Sequence, residues 1–313
     1  MKYQLYRWEF VVKTSVLTPF HSDTLWGHIV WAIKYLHGDK VFEEYLTKFV
    51  QDEYKPFIIS NAFPKGYLPF INLPHSFDKP ATKAEAILLS NFKSLIQQVK
   101  FVPKDMFVKM KNGLSIVDIY NEYKKDPEYL TKLGMLDFEQ YETATKNSID
   151  RLTGGTDDGA LYSQVETVYT TPLEVYIKVQ DDEYIQEAIN YIGQTGYGKK
   201  ASTGKGQLQT ISFEKVDTLL DNTHHTQAYI SLSSYIPKVG DYENCLHANI
   251  SSKKGKIANS NEVNPFKSPY CYYEAGSIFE GSVIDNKGQM LQGLHTNSEV
   301  VQYGVPFIVG VKL

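Results

Sequence analysis

A glycine- and lysine-rich segment, residues 193–208, constrains the fold more than any other part of this chain. It reads GQTGYGKKASTGKGQL and holds five glycines and three lysines. Glycine lets the backbone turn tightly and bring N–H groups close to a phosphate, and lysine supplies the positive charge that a polyanion attracts. The segment therefore indicates a phosphate-binding loop.

The elements on either side of this segment narrow the choice of ligand. The preceding residues show the spacing of one helix face, namely Ile185, Ala188, Ile189 and Ile192. The residues that follow, 207–213, are typical of a strand. A Walker loop or a dinucleotide-binding loop runs in the opposite order, from a strand into a helix. ATP and NAD are therefore disfavoured, whereas an extended phosphate backbone such as that of RNA fits.

The composition is that of an ordinary globular protein. The 313 residues are 42% hydrophobic and 22% charged, and this length favours two domains. Two cysteines, Cys245 and Cys271, are too few for a disulfide framework and are typical of a reducing compartment. No apolar run approaches the length of a membrane span. We therefore predict a cytoplasmic protein without a membrane segment or a cofactor.

The charge argues against bulk affinity for nucleic acid. The net charge is −4, so any RNA contact requires a local basic patch or partner subunits. Of the 32 basic residues only Arg7 and Arg151 are arginine. Because only a guanidinium offers planar, bidentate hydrogen bonding, Arg151 stands out within the glycine-rich segment 148–159. We interpret that segment as a flexible loop.

The pattern of the first 213 residues indicates a ferredoxin-like or RNA-recognition domain. Strands are predicted at 3–13, 160–169, 173–179 and 207–213, and helices at 181–193 and after an N-cap at Ser22 or Asp23. A β-α-β element followed by β-β-α-β is the order of a ferredoxin-like or RNA-recognition fold. The polar stretch at about 75–147, with a helical pattern at 84–99, is predicted to be a largely helical insertion.

The remainder predicts a second, β-rich domain. Residues 214–226 have the character of a linker, and the second domain is expected at 227–313. Its strands are predicted at 229–234, 277–284 and 305–313. The resulting fold class is α+β, with two domains in tandem.

Several segments together resemble a known family. They are HSDTLWGH at 21–28, FIISNAFP at 57–64, DRLTGGT at 150–156 with GALY at 159–162, GYGKKASTGKG at 196–206, EAGSIFEG at 274–281 and YGVPF at 303–307. In order and spacing they are similar to the RAMP superfamily of CRISPR-associated proteins. More narrowly, they resemble the Csm-type, Cas-five-like subunit of type III-A effector complexes.

The resemblance implies a non-catalytic, RNA-binding subunit with two ferredoxin-like domains. Such a subunit holds the repeat-derived 5′ handle of crRNA, docks on the large Cas-ten-type subunit and adjoins a backbone RAMP subunit. The candidate RNA-binding residues in this chain are His21, Ser22, Arg151, Thr153, Gly196, Tyr197, Gly198, Lys199, Lys200, Ser202, Gly204, Lys205 and Gly206.

Plainer interpretations stay open at each of these positions. His21 can belong to the capping turn of a helix, Arg151 can form a structural salt bridge, and Tyr162 and Tyr197 can simply pack. A second function is also open, a metal-independent endoribonuclease with His21 as general acid or base and Lys199 or Lys200 at the phosphate. The residues His224, His225, Cys245 and His247 lack the spacing of a zinc site, so no metal is predicted.

Overall fold

The computed structural model describes residues 3–50, 55–134, 138–147, 149, 151–155, 161–180, 184–216, 220, 226–257, 264–281 and 287–313. The α-helices of these ranges are α1 (Ser22–His37), α2 (Asp39–Val50), α3 (Lys83–Ile96), α4 (Lys104–Lys111), α5 (Ile116–Lys125), α6 (Tyr129–Gly134) and α7 (Ile185–Thr195). Over the same ranges, no helix is both long and apolar enough to cross a bilayer.

The strands fall into an N-terminal and a C-terminal group. The first group is β1 (Gln4–Val12), β2 (Phe57–Ile59), β3 (Phe63–Pro64), β4 (Tyr67–Pro69), β5 (Phe101–Pro103), β6 (Glu139–Lys146), β7 (Tyr162–Tyr169), β8 (Leu173–Val179) and β9 (Leu208–Lys215). The second group is β10 (Ala228–Ser231), β11 (Cys245–His247), β12 (Ile250–Lys253), β13 (Tyr270–Tyr273), β14 (Ile278–Glu280), β15 (Gln289–Leu291), β16 (Gln302–Gly304) and β17 (Ile308–Val311).

The N-terminal sheet is antiparallel and has the strand order β2-β8-β1-β9, with β3 also paired to β8. Its elements follow the order β1, α1, β2, β8, α7, β9, which is the β-α-β-β-α-β motif. The strand predicted at 160–169, here β7, is not part of this sheet, because it pairs with β6 instead. Helices α1 and α7 pack against each other. Their apolar faces cover one face of the sheet. Successive side chains of a strand point to opposite faces, so Trp8 and Phe10 of β1 share a face, and both are buried.

The C-terminal sheet repeats this strand order without helices. It runs β11-β14-β10-β17, and all its pairs are antiparallel. Within the described part of 226–313 there is no α-helix to cover it. The α+β class is therefore confirmed, whereas the interpretation as two tandem ferredoxin-like domains stays a prediction.

The two sheets share one continuous hydrophobic core, which contains buried residues from Trp8 to Val311. Trp26 of α1 stacks on Tyr303 of β16 with ring centroids 5.3 Å apart, and the Tyr303 hydroxyl accepts a hydrogen bond from the Ile59 N–H. The predicted division at 1–213 and 227–313 stays a prediction. Most of the proposed linker between them lies outside the described residues.

The insertion contains α3 to α6 and packs on the sheet face opposite α1 and α7. Glu174 of β8, which is buried there, pairs with Lys104 of α4 at 2.6 Å and with Arg7 of β1 at 3.5 Å. Residues 139–146 are a strand rather than a helix, because alternating residues such as Thr143 and Thr145 favour extended backbone. This strand, β6, pairs along its whole length with β7 to form a hairpin.

The start of α1 differs from the expected cap. His21 occupies the N-cap position and makes no side-chain capping bond, so the prediction of Ser22 or Asp23 as the N-cap is wrong. Both side chains are committed to the C-terminal half instead. The Ser22 hydroxyl accepts a hydrogen bond from the Ser234 N–H at 3.1 Å, and Asp23 forms an ion pair with Lys253 at 2.8 Å.

Asp23 is the centre of a buried polar cluster. Its carboxylate also accepts hydrogen bonds from the Tyr270 hydroxyl and the Gln302 side chain, both at 3.0 Å. Burial acts to raise the pKa of Asp23, but the charge and hydrogen bonds of Lys253 outweigh it, and the pKa lies below its ordinary value. The ionised carboxylate thereby joins α1 to β12, β13 and β16.

We predict that Asp23→Asn lowers the free energy of unfolding by about 3 kcal/mol, because breaking a buried ion pair strands the remaining charge. Urea denaturation measures this change. The matched control is Asp39→Asn, which removes a pair with Lys34 of the same 2.8 Å length, where the Asp39 side chain is 73% exposed. Exposed pairs contribute about 0–1 kcal/mol. Equal losses in the two variants would contradict the role given to Asp23.

Candidate nucleic-acid interface

The glycine loop, defined here as residues 196–206, connects α7 to β9 in a backbone shape that requires glycine. Positive φ angles occur at Gly196, Gly198, Gly204 and Gly206. A Cβ atom at Gly206 would collide with the Tyr197 carbonyl oxygen, and one at Gly198 would lie 2.7 Å from the Thr18 Cβ. These close approaches explain why the segment carries so many glycines.

Lys200 adds a further unusual backbone feature to the glycine loop. Its φ of 64° is the only positive value of a non-glycine residue among the described ranges. The left-handed region is unfavourable for a residue with a Cβ, so it persists only where the surrounding structure imposes it. Lys200 immediately precedes a short 3₁₀ turn at Ala201–Thr203, and the strained residue therefore orients the exposed end of the loop.

Tyr197 anchors the glycine loop in the core. Its side chain is 1% exposed, its ring stacks on Phe20 at 4.4 Å, and its hydroxyl donates to the Pro19 carbonyl at 2.8 Å. Burial raises the pKa of this hydroxyl well above its ordinary value. Tyr197 therefore lies inside the protein, where it supports the loop rather than meeting a ligand.

Ser22, another candidate contact, is also internal. It is fully buried, and its hydroxyl accepts from the Ser234 N–H. A ligand cannot reach this hydroxyl without opening the contact between the two halves of the chain. Ser22 therefore positions α1 and does not line a surface.

Much of the glycine-loop backbone is already hydrogen-bonded within the protein. The Gly198 N–H donates to His28 Nε2 and the Lys199 N–H donates to Thr18 Oγ1, both at 3.0 Å. The Gly206 N–H donates to the Ser15 carbonyl at 3.0 Å. These bonds fix the loop against α1 and against the segment that connects β1 to α1. They leave the side chains, rather than these N–H groups, to meet a ligand.

The three lysines of the glycine loop have different surroundings. Lys199 is exposed. Lys200 Nζ donates to Gln164 Oε1 at 2.9 Å and lies over the Tyr162 ring. Lys205 Nζ donates to Ser15 Oγ at 2.7 Å and pairs with a carboxylate of β7. Two of the three lysines thus join the loop to the β6–β7 hairpin. The exposed rim of the loop also contains Ser202 and Gly204.

That carboxylate belongs to Glu166, which is 3% exposed. It pairs with Lys205 and with Lys146 of β6, the latter at 3.2 Å, and accepts from Ser15 Oγ at 2.6 Å. The hydrogen bonds from Lys205 and Ser15 lower its pKa to about 2. Glu166 is therefore the charged link between the hairpin, the glycine loop and the end of β1.

The hairpin carries the second group of candidate residues at its tip. Arg151 and Thr153 lie between β6 and β7, and both are exposed. Leu152 between them is 97% exposed. Lys146 and Tyr162 form the last pair of the ladder before this tip, and Tyr162 contacts Lys200. The structure thus brings the hairpin against the glycine loop at its tip end, while Asp150 and residues 156–160 lie outside the described ranges.

His21 sits apart from these contacts. Its ring packs edge-on against Tyr272 of β13 at 6.2 Å. Burial, and then the charge of Lys253, lower its pKa, so the imidazole is neutral near pH 7. Its backbone N–H donates to the Pro19 carbonyl at 2.9 Å, the carbonyl that also accepts from Tyr197, while Lys199 and Lys200 contact Thr18 and the hairpin.

The set His224, His225, Cys245 and His247 is described only in part. Among the described residues, no group of three or more His, Cys, Asp and Glu side chains is arranged to hold a metal ion. His224 and His225 lie outside those residues. The described members of that set, Cys245 and His247, are on β11.

The amino-acid sequence is similar to that of a known CRISPR protein, as follows. No protein-family model matches the chain. The CRISPR system protein Csm4 of Streptococcus thermophilus is 24% identical over 307 residues, which cover 91% of this chain and 92% of that protein. This similarity extends over most of both chains.

Solved structures show the same fold. A chain in the crystal structure of a Csm3-Csm4 subcomplex of the type III-A CRISPR-Cas interference complex aligns with a TM-score of 0.62 and 14% identity, over 98% of this chain and 100% of that one. A chain of a Csm1-Csm4 cassette in complex with cA4 gives a TM-score of 0.58 and 16% identity, over 99% and 98%. The resemblance to the Csm-type, Cas-five-like subunit is thereby confirmed.

We predict that Glu166→Gln loses stability in a pH-dependent way. Because the folded-state pKa of Glu166, about 2, lies below its ordinary value of 4.5, its stabilising contribution is complete above pH 4.5 and is lost as the pH falls toward 2. At pH 6 the free energy of unfolding of the wild type should exceed that of the variant by up to about 3 kcal/mol. Urea denaturation at pH 6 and pH 3 measures the difference.

The matched control for this prediction is Glu142→Gln. Glu142 lies directly opposite Glu166 in the hairpin ladder but is exposed. Its replacement should change stability by less than about 0.5 kcal/mol at both pH values. A Glu166→Gln deficit that does not shrink on acidification would contradict the role of the carboxylate charge.

Proposed function

We propose that this chain is a non-catalytic, RNA-binding subunit of a type III-A CRISPR effector complex. In this role it holds the repeat-derived 5′ handle of crRNA, docks on a large Cas-ten-type subunit and adjoins a backbone RAMP subunit. The similarity to Csm4 and to chains from Csm1-Csm4 and Csm3-Csm4 assemblies supports the membership. The cysteine usage supports a cytoplasmic location.

One observation carries the RNA-binding part of the proposal. The glycine loop and the β6–β7 hairpin are joined through Lys200 and Lys205, and on the exposed side of this junction lies Lys199 with the rim residues Ser202 and Gly204. Such a rim suits a phosphate backbone, because the loop backbone that carries Lys199 is already held in place by the bonds to His28 and Thr18. An overall negative protein can bind RNA at such a local patch.

The three lysines should contribute unequally. Lys199 has an exposed side chain that can bind a phosphate directly. Lys200 must exchange neutral acceptors, Gln164 and Tyr162, for the phosphate. Lys205 would have to leave the buried carboxylate of Glu166, which costs more, because breaking a buried ion pair leaves an uncompensated charge. The expected order of contribution is therefore Lys199, then Lys200, then Lys205.

We also propose that the hairpin tip reaches the RNA. Arg151 and Thr153 are exposed beyond the last ladder pair, next to a fully exposed Leu152. Arginine can bind a phosphate through two parallel hydrogen bonds and can stack on a base. In this proposal the tip contacts nucleotides adjoining the handle, while the glycine loop holds the handle backbone.

The proposed architecture follows the same division. The N-terminal ferredoxin-like domain, 1–213 with its insertion at about 75–147, supplies the RNA contacts. The C-terminal domain, 227–313, supports α1 through the Asp23 cluster. The repeated strand order of the two sheets supports a tandem origin.

An endoribonuclease is the alternative from a different class. It requires His21 beside the lysines of the glycine loop, yet the described contacts of His21 are with Tyr272 and those of Lys200 are with the hairpin. The described side chains of His21 and Lys200 thus have different partners, and this supports the binding function. We propose that RNA bound by the chain stays uncut.

We predict that the triple variant Lys199→Ala, Lys200→Ala, Lys205→Ala reduces crRNA retention when the full chain is co-purified with its effector complex. Each lost phosphate contact should lower the slope of log K against log salt by about 0.7 for single-stranded RNA. Retention measured across a salt titration reports both effects. The single variants should rank in the order Lys199, Lys200, Lys205.

The control is a triple alanine variant at Lys83, Lys109 and Lys124, which are exposed on the insertion helices. These substitutions remove the same amount of positive charge. Equal losses in the two triple variants would show a bulk charge effect and refute a specific loop. A separate experiment tests for cleavage.

The wild-type chain and the His21→Ala variant are each incubated with labelled repeat RNA in EDTA. Site-specific cleavage by the wild type that disappears in His21→Ala would refute the binding function in favour of the endoribonuclease.

A separate prediction concerns the hairpin tip. Arg151→Lys keeps the charge but removes the bidentate fork, and should weaken RNA retention by about three- to tenfold, near the effect of Arg151→Ala. The matched control is Arg7→Lys, at the other arginine, which pairs with Glu174 and Glu214 away from the loop. If Arg151→Lys binds like the wild type, only charge matters at this position.

A further inference from the structure

His28 contacts the glycine loop from the first helix. It lies on α1, and its Nε2 accepts the Gly198 N–H at 3.0 Å. Its ring packs against the Tyr197 ring with centroids 4.6 Å apart. One side chain thus touches two consecutive residues of the loop, one through its polar atom and the other through its ring face.

The hydrogen bond fixes the state of the imidazole. A histidine nitrogen that accepts a hydrogen bond carries no proton, so the proton of the neutral ring is on Nδ1. Burial lowers the pKa of His28 to about 4. At neutral pH the side chain is therefore an uncharged acceptor and adds no positive charge for RNA.

The neighbouring contacts leave the loop little freedom. Gly198 cannot carry a side chain because of Thr18, and the next N–H, that of Lys199, is held by the Thr18 hydroxyl. His28 and Thr18 thus bind two consecutive N–H groups. These two bonds determine the direction in which the backbone leaves Tyr197 and so the direction of the exposed Lys199.

We propose that His28 is a positioning residue for RNA binding, which sets the shape of the glycine loop by accepting the Gly198 N–H. This inference rests on the proposed function for its RNA consequence but not for its effect on the loop. His28 does not touch the ligand. It acts through the backbone at Gly198 and thereby through Lys199.

Two substitutions separate the acceptor from the packing. His28→Phe keeps a ring against Tyr197 and removes the acceptor, whereas His28→Gln supplies an amide oxygen at about the reach of Nε2. His28→Leu is a second variant without an acceptor, should the phenylalanine disturb folding. All three are made in the full chain, and far-UV circular dichroism confirms their secondary structure.

The first measurement needs no RNA. Trypsin cleaves after lysine, so the rates of cleavage after Lys199 and Lys200, followed by mass spectrometry, report how firmly the loop is held. An unpaired N–H should raise these rates about tenfold in His28→Phe and His28→Leu, while His28→Gln should stay within about threefold of the wild type. Unchanged cleavage in both acceptor-free variants would overturn the proposal.

The second measurement uses a fluorescein-labelled RNA with the sequence recovered from the native complex. We expect the affinity to fall about tenfold in His28→Phe and to return to near the wild-type value in His28→Gln. Faster cleavage with unchanged RNA affinity would support the positioning of the loop and refute RNA binding by it. Equal loss of affinity in His28→Gln and His28→Phe would overturn the role of the acceptor.

Discussion

The ion pair between Asp23 and Lys253 determines how the two halves of the chain fit together. A carboxylate at this depth stays ionised only because a cation and two neutral donors surround it. Those donors come from β13 and β16, so the carboxylate links the start of α1 to the folded C-terminal half, while α7 and α2 pack against the same helix from the N-terminal half. The next residues toward the N-terminus, which hold the glycine loop, therefore depend indirectly on the same pair.

The segment from Ser15 to His28 contacts the glycine loop, Glu166 of the hairpin and the C-terminal half of the chain. Its first part, with Ser15 and Thr18, accepts hydrogen bonds from the glycine loop and contacts Glu166. Its second part starts α1 and binds the C-terminal half. Because this segment is packed in the core and also hydrogen-bonded to the glycine loop, it restrains the loop backbone. This explains how a loop rich in glycine has a single defined shape.

The sequence predicted local features well and distant contacts poorly. Strand β1, helix α7 and the loop between α7 and β9 followed from periodicity and from glycine, since both are local properties. Glu166 was missed because its partner Lys205 is 39 residues away and no periodic signal links them. The N-cap of α1 was wrong for a related reason, because the tertiary partners of Ser22 and Asp23 outweighed their intrinsic capping preference.

The choice of lysine over arginine makes the rigidity of the backbone important. An ammonium group is a point charge on a flexible stem, without the planar fork by which arginine selects a geometry. A loop whose cations are all lysine can therefore gain specificity only from where its backbone holds them. The left-handed Lys200, the buried Tyr197 and the acceptor at His28 all restrict that backbone. The shape of the glycine loop is therefore set by these contacts together with those of Lys200 and Lys205 to the hairpin, and Lys199 is the lysine that supplies charge at the exposed rim.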